Sequence, residues 1–203
     1  MKKLTGILLL SLVGITLAAC SSGDETAKEK SGTATQKTVE TTNNENTSST
    51  DTEELEEGVA ARNKYTVNWS EDWHDVNFKI TDVSVVEYND EQAIAALDTT
   101  FIAGVKFVIT NNSDHKISTY PDQGKLVING KQYDANMFVS DDVGGEVMNG
   151  SSIEGVVAYP LKDIASVDDV KEIRVVWSAN DFDSGDMTDT GKDFDIPLQL
   201  TTN

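Results

Sequence analysis

The stretch "NDFDSGDMTDTGKDFD", residues 180–195, places Asp181, Asp183, Asp186 and Asp189 in one glycine-containing loop. Calcium takes six to eight hard oxygen ligands, and alternate carboxylates around a sharp turn are the residue types that supply them. The register departs from an EF-hand: Gly185 falls at position five, and Lys192 stands at position twelve in place of a glutamate. The loop therefore reads either as a calcium site or as an acidic hairpin loop with solvated carboxylates. Two histidines complete the inventory of titratable chemistry, His74 in "EDWHDV" and His115 in "NNSDHK". His115, in a polar turn, is expected to be a solvated loop residue. His74 has a carboxylate beside it in Asp75, an arrangement that can tune an imidazole. No G-x-S-x-G elbow, H-E-x-x-H or S-x-x-K supplies either histidine with a partner at a mechanistic spacing. Carboxylate pairs of the glycosidase kind are too abundant in so acidic a chain to discriminate. The expectation is a protein with no catalytic residues and no cofactor other than calcium. A small secreted hydrolase ranks third among the functions considered.

Cys20 is the only cysteine of the 203 residues. Before it stand a cationic Met1-Lys2-Lys3 start and the uncharged run "LTGILLLSLVGITLA". A charged start, an apolar run and small residues make a secretory signal, and the run is short of the roughly 20 residues that span a bilayer. The sequence Leu17-Ala18-Ala19-Cys20 resembles the lipobox of bacterial lipoproteins. That resemblance implies cleavage between Ala19 and Cys20, acylation of the Cys20 thiol, and attachment to the outer face of the cell membrane. Each buried CH₂ contributes about 0.8 kcal/mol, so two or three acyl chains hold a soluble domain without a spanning helix. With its thiol acylated, the mature chain has none for catalysis or for a disulfide.

Residues 20–64 follow as a linker rich in Ser, Thr, Asn, Glu and Lys, with no aromatic side chain. Such a composition cannot bury enough apolar surface to offset ordering entropy. A flexible tether of this length spans roughly 35–40 Å on average, which suits a thick Gram-positive-type wall. The chain carries a formal net charge of −19. That balance excludes nucleic-acid binding, which needs Lys and Arg against phosphates. It suits cationic partners, divalent metal, or solubility alone.

From residue 65 to 203 the chain reads as one all-β domain of seven or eight strands. "YTVNW" and "DVNFKITDVSVVEY" open it, with Val76, Phe78 and Ile80 and then Val83 and Val85 at period two. "NDEQAIAALD" predicts a short helix capped by Asn89 or Asp90. "TTFIAGVKFVIT" predicts a buried strand, and "GKLVINGKQYDA" a hairpin on the preferred type I′ pair Asn129-Gly130. A strand over 149–161 is expected to stop at Pro160, and "VKEIRVVWS" and "KDFDIPLQL" close the set. Trp177, alternating with Val175 and Ile173, should face the core. Trp69 and Trp73 are both expected to pack over the sandwich edge, with Trp73, among Glu71, Asp72 and His74, the more exposed of the two.

Thr110-Asn111-Asn112-Ser113 and the Gly150–Pro160 segment together resemble the immunoglobulin-like extracellular domain of many Gram-positive lipoproteins. Relatives of that family include a secreted mycobacterial immunogenic antigen. The resemblance implies an immunoglobulin-like antiparallel β-sandwich and carries no catalytic residues with it. The sequence reading is thus a membrane-anchored lipoprotein presenting an acidic binding module to a cell-surface, envelope or cationic partner. A calcium-dependent adhesion or sensing domain is the alternative.

Overall fold

The computed structural model describes residues 55–201, which lie within the compact unit Thr47–Asn203. Ten strands build two antiparallel sheets. The first sheet runs in the order β1 (Val59–Trp73), β2 (Val76–Tyr88), β3 (Phe101–Asn111) and β8 (Ser152–Leu161). The second is centred on β9 (Glu172–Asn180), with β10 (Gly191–Gln199) along one side. Along its other side lie β5 (Lys125–Ile128) and β4 (Ile117–Thr119), flanked by β6 (Lys131–Asp134) and β7 (Gly145–Val147). The expected all-β sandwich is what forms. β4 and β7, at three residues each, are too short to leave a period in the sequence.

Alternation drives the packing. In β9, Ile173, Val175, Trp177 and Ala179 are buried, and in β10 so are Phe194, Ile196 and Leu198. Across the interface, Phe78 of β2 meets Phe194 of β10 at 4.7 Å, and Phe107 of β3 meets Trp177 edge-on at 5.3 Å. Trp177 stacks on Phe194 at 4.3 Å. Such aromatic pairs add about 0.5–1.5 kcal/mol each beyond the area they bury. β2 keeps its alternation only as far as Ile80, where a register shift between Ile80 and Asp82 resets the buried face to Val83 and Val85.

Three expectations change. β1 begins at Val59, which is buried and pairs with Tyr88, so the strand takes in residues 59–64 that composition had assigned to the linker. β8 runs through Pro160 to Leu161, because it is the edge strand of its sheet and position 160, in step with the outward-facing Val156 and Ala158 amides, owes no N–H to β3. Trp73 is buried: it lies at the hairpin end, facing the sandwich. Both early tryptophans pack against the core as expected, but in the reverse order, Trp73 being buried and Trp69 only partly so. The helix forms as expected, as α1 (Glu91–Leu97), with the Asp90 side chain accepting from the Ala93 amide. The Asn129-Gly130 hairpin also forms, with φ of 52° and 77° at its two turn residues.

Candidate functional site

Three loops meet at one end of the sandwich, and both histidines stand there. The first loop is the two-residue turn His74-Asp75 joining β1 to β2, closed by the pair Trp73 and Val76. Both turn residues are left-handed, with φ of 50° and 59°, the backbone of a type I′ turn. The His74 ring stacks on Trp73 at 4.2 Å.

The second loop leaves β3 at Asn111, one of the few fully buried polar residues. Its amide nitrogen donates to the carbonyls of His115 and Val147 at 2.8 and 2.9 Å. Its amide oxygen accepts from the Ser113 N–H and hydroxyl at 3.0 and 2.7 Å. These four bonds bend residues 111–115 back on themselves and aim His115 at the third loop. The Asn112 N–H donates to the Asp75 carbonyl at 3.0 Å, tying this loop to the first. The Thr-Asn-Asn-Ser string thus shapes the end of the sandwich.

The third loop, 181–190, joins β9 to β10. Asp181 is its first residue and is fully buried. His74 Nδ1 lies 2.7 Å from the Asp181 carboxylate, and His115 Nε2 lies 2.9 Å from it. The same carboxylate accepts from the Ser184 N–H at 3.0 Å. The outer ring nitrogens are also occupied: His74 Nε2 is 3.1 Å from Asp189 Oδ2, and His115 Nδ1 is 2.7 Å from Asp114 Oδ1. All four imidazole nitrogens therefore face a carboxylate.

That geometry favours the doubly protonated rings. An ionised carboxylate only accepts, and a neutral imidazole has one N–H to donate. Only an imidazolium donates to two carboxylates at once. Accordingly, His74 is held above its ordinary 6.5: burial pulls it down, but the bonds to Asp181 and Asp189 outweigh that. His115 is raised by its bonds to Asp181 and then Asp114. For Asp181, burial pushes upward, yet the two histidines hold it below the usual 3.8.

The four aspartates singled out in the sequence are not gathered. Asp181 turns inward to the histidines and Asp189 bonds His74. Asp186 accepts from the Thr188 amide and hydroxyl at 2.9 and 2.6 Å, and Asp183 is exposed. Among the described residues, no group of three or more His, Cys, Asp or Glu is arranged to hold a metal ion. His115 is not the solvated loop residue expected; its side chain is only 22% exposed and bonded at both nitrogens. Its partner lies 66 positions away, and that of His74 lies 107 away, so nothing in the local sequence announces the cluster. Cys20 and the cleavage position after Ala19 lie outside the described residues.

No protein-family model matches the sequence, and no curated protein matches it. Solved structures align with it. A functionally unknown protein from Listeria monocytogenes aligns with a TM-score of 0.51 at 12% identity, over 70% of this chain and 87% of that one. The yjhA protein of Bacillus subtilis aligns at 0.46 and 16% identity, over 68% and 99%. A provisionally assigned lipoprotein of Bacillus subtilis, ycdA, aligns at 0.40 and 14%, over 64% of this chain and 38% of that one. At 12% identity the likeness to the Listeria protein shows the fold alone.

Proposed function

We propose that this chain is a lipid-anchored bacterial surface protein whose immunoglobulin-like sandwich is a binding module, with the 181–190 loop as its binding face. Sequence supports the anchor: the cationic start, the apolar run and the Leu17-Ala18-Ala19-Cys20 lipobox-like site. The observation that carries the binding reading is the surface of the loop. Phe182 and Met187 stand 65% and 77% exposed, interleaved with the exposed carboxylates of Asp183 and Asp186. Loops at the end of a sandwich are where rigid strands present recognition groups. Here the frame beneath them is the buried Asp181 with its two histidines. Apolar tips among carboxylates suit a partner bearing both cationic and apolar groups, such as a basic envelope protein.

Two experiments test this reading. Cys20→Ala should move the protein from the membrane fraction to the soluble one; retention as firm as in the wild type contradicts lipid anchorage. A photo-crosslinking residue placed at 182 or 187 on intact cells should capture a partner in a salt-sensitive manner. The same probe at the 92%-exposed Phe138, outside this loop, should not. Equal capture from all three positions would remove the loop as the binding face.

A further inference from the structure

The cluster that frames this loop has a property that follows from its proton count. Three carboxylates, Asp181, Asp189 and Asp114, share two imidazoles through four nitrogen–oxygen contacts of 2.7–3.1 Å. All four contacts are hydrogen bonds only while each ring carries two N–H groups. When a ring gives one proton to solvent, one of its two carboxylates faces a nitrogen lone pair, and attraction becomes repulsion. We propose that His74, His115 and Asp181 form a pH-dependent clasp, which fixes the 181–190 loop while both imidazoles are doubly protonated and releases it as they lose a proton.

The surrounding charges point the same way. From the third loop, Asp181, Asp186 and Asp189 act on His74, and from the second loop Asp114 acts on His115. The neighbouring cations are committed elsewhere: Lys116 pairs with Glu146, and Lys192 at the start of β10 pairs with Glu71 at 2.6 Å. Neither of these two lysines is therefore free to replace a lost imidazolium charge. Asp181 is fully buried, so its carboxylate cannot exchange an imidazolium for bulk water without the loop moving. Asp181 is also what holds the loop, through the Ser184 N–H bond, and its own N–H donates to the Thr190 carbonyl at 2.9 Å. Loss of the clasp therefore acts on both ends of the segment. The sign is set by the raised histidines: the clasp holds fully below 6.5 and is lost as pH rises through their folded values. As regulation of binding, this inference rests on the loop being the binding face. The loop's order with pH does not.

The test needs no partner, so its failure is separate from failure of the binding reading. The full chain, held in detergent, has only two histidines, so its imidazole ring signals in NMR are two sets. Both should titrate above 6.5. Asp189→Asn should lower chiefly His74 and Asp114→Asn chiefly His115, each substitution keeping shape and removing one outer charge. A smaller movement of the other histidine, relayed through Asp181, also supports the clasp. Exchange of the Ser184 and Asp181 amides should quicken about tenfold beyond the base-catalysed trend as the rings deprotonate. Histidines titrating at or below 6.5, variants that move neither ring, or loop protection unchanged across the titration would each overturn the proposal.

Discussion

Two hairpins of this protein turn on two residues with the same left-handed backbone, and they differ in what the turn residues do. At Asn129-Gly130 the turn uses the pair that adopts this conformation at least cost, and a Cβ added at Gly130 would meet nothing within 4 Å. The turn ends two strands and does no more. At His74-Asp75 the same backbone is made by a residue pair with two Cβ atoms and no glycine, at φ of 50° and 59°. Left-handed non-glycine residues persist where the surroundings over-determine them. Here they do: His74 stacks on Trp73 and bonds Asp181 and Asp189, while the Asp75 carbonyl accepts from Asn112. One turn is chosen for its backbone, the other for a side chain that the backbone must deliver.

The largest effect that bears on this contrast is removal of the shared carboxylate. Asp181→Ala leaves two imidazoles and the Ser184 amide without their buried acceptor, and should cost about 3 kcal/mol in urea unfolding near pH 6. A loss well under about 1 kcal/mol would show that the carboxylate is not the frame of this end. Next comes the graft of one turn onto the other, His74→Asn with Asp75→Gly. It improves the turn's backbone but deletes half the clasp, so it should destabilise near pH 6. That loss should shrink or reverse above the histidines' folded values, where the clasp no longer contributes. A graft that stabilises at both pH values would mean the first turn, like the second, is backbone alone. Gly130→Ala should cost about 1 kcal/mol by forcing a side chain into φ of 77°, and equally at pH 6 and 9. The smallest change is Asp114→Asn, whose side chain is solvent-exposed; the unfolding midpoint should fall only slightly, and only on the acid side.

The sequence exposed whatever was local. Period-two runs marked the long strands, Asn129-Gly130 marked its hairpin and Asp90 marked the helix start, because each signal is complete within a few residues. The start of β1 escaped because Val59 and Ala61 sit at the end of a polar tract and become strand only by pairing with Tyr88 and Glu87. The relative burial of Trp69 and Trp73 was missed because adjacent acidic residues say nothing about the face a strand presents. The candidate site was half legible. The loop holding Asp181 and Asp189 and both histidines stood out by composition, but they were assigned to separate roles. Only the packing of the two sheets, which brings the β1–β2 turn beside the end of β9, joins them, and Asp181 is buried for that reason and not for any feature of its neighbours in sequence.

The central claim is that this end of the molecule is held by two charged histidines. Its most direct test is the urea midpoint of the full chain between pH 5.5 and 9. Among the side-chain types of the described residues, histidine is the one whose ordinary value falls inside that range, and His74 and His115 are its two members. Folding raises both histidines, so stability should be flat up to 6.5 and then decline as pH passes through their folded values. A midpoint that stays level from 5.5 to 9, or rises, would contradict the account.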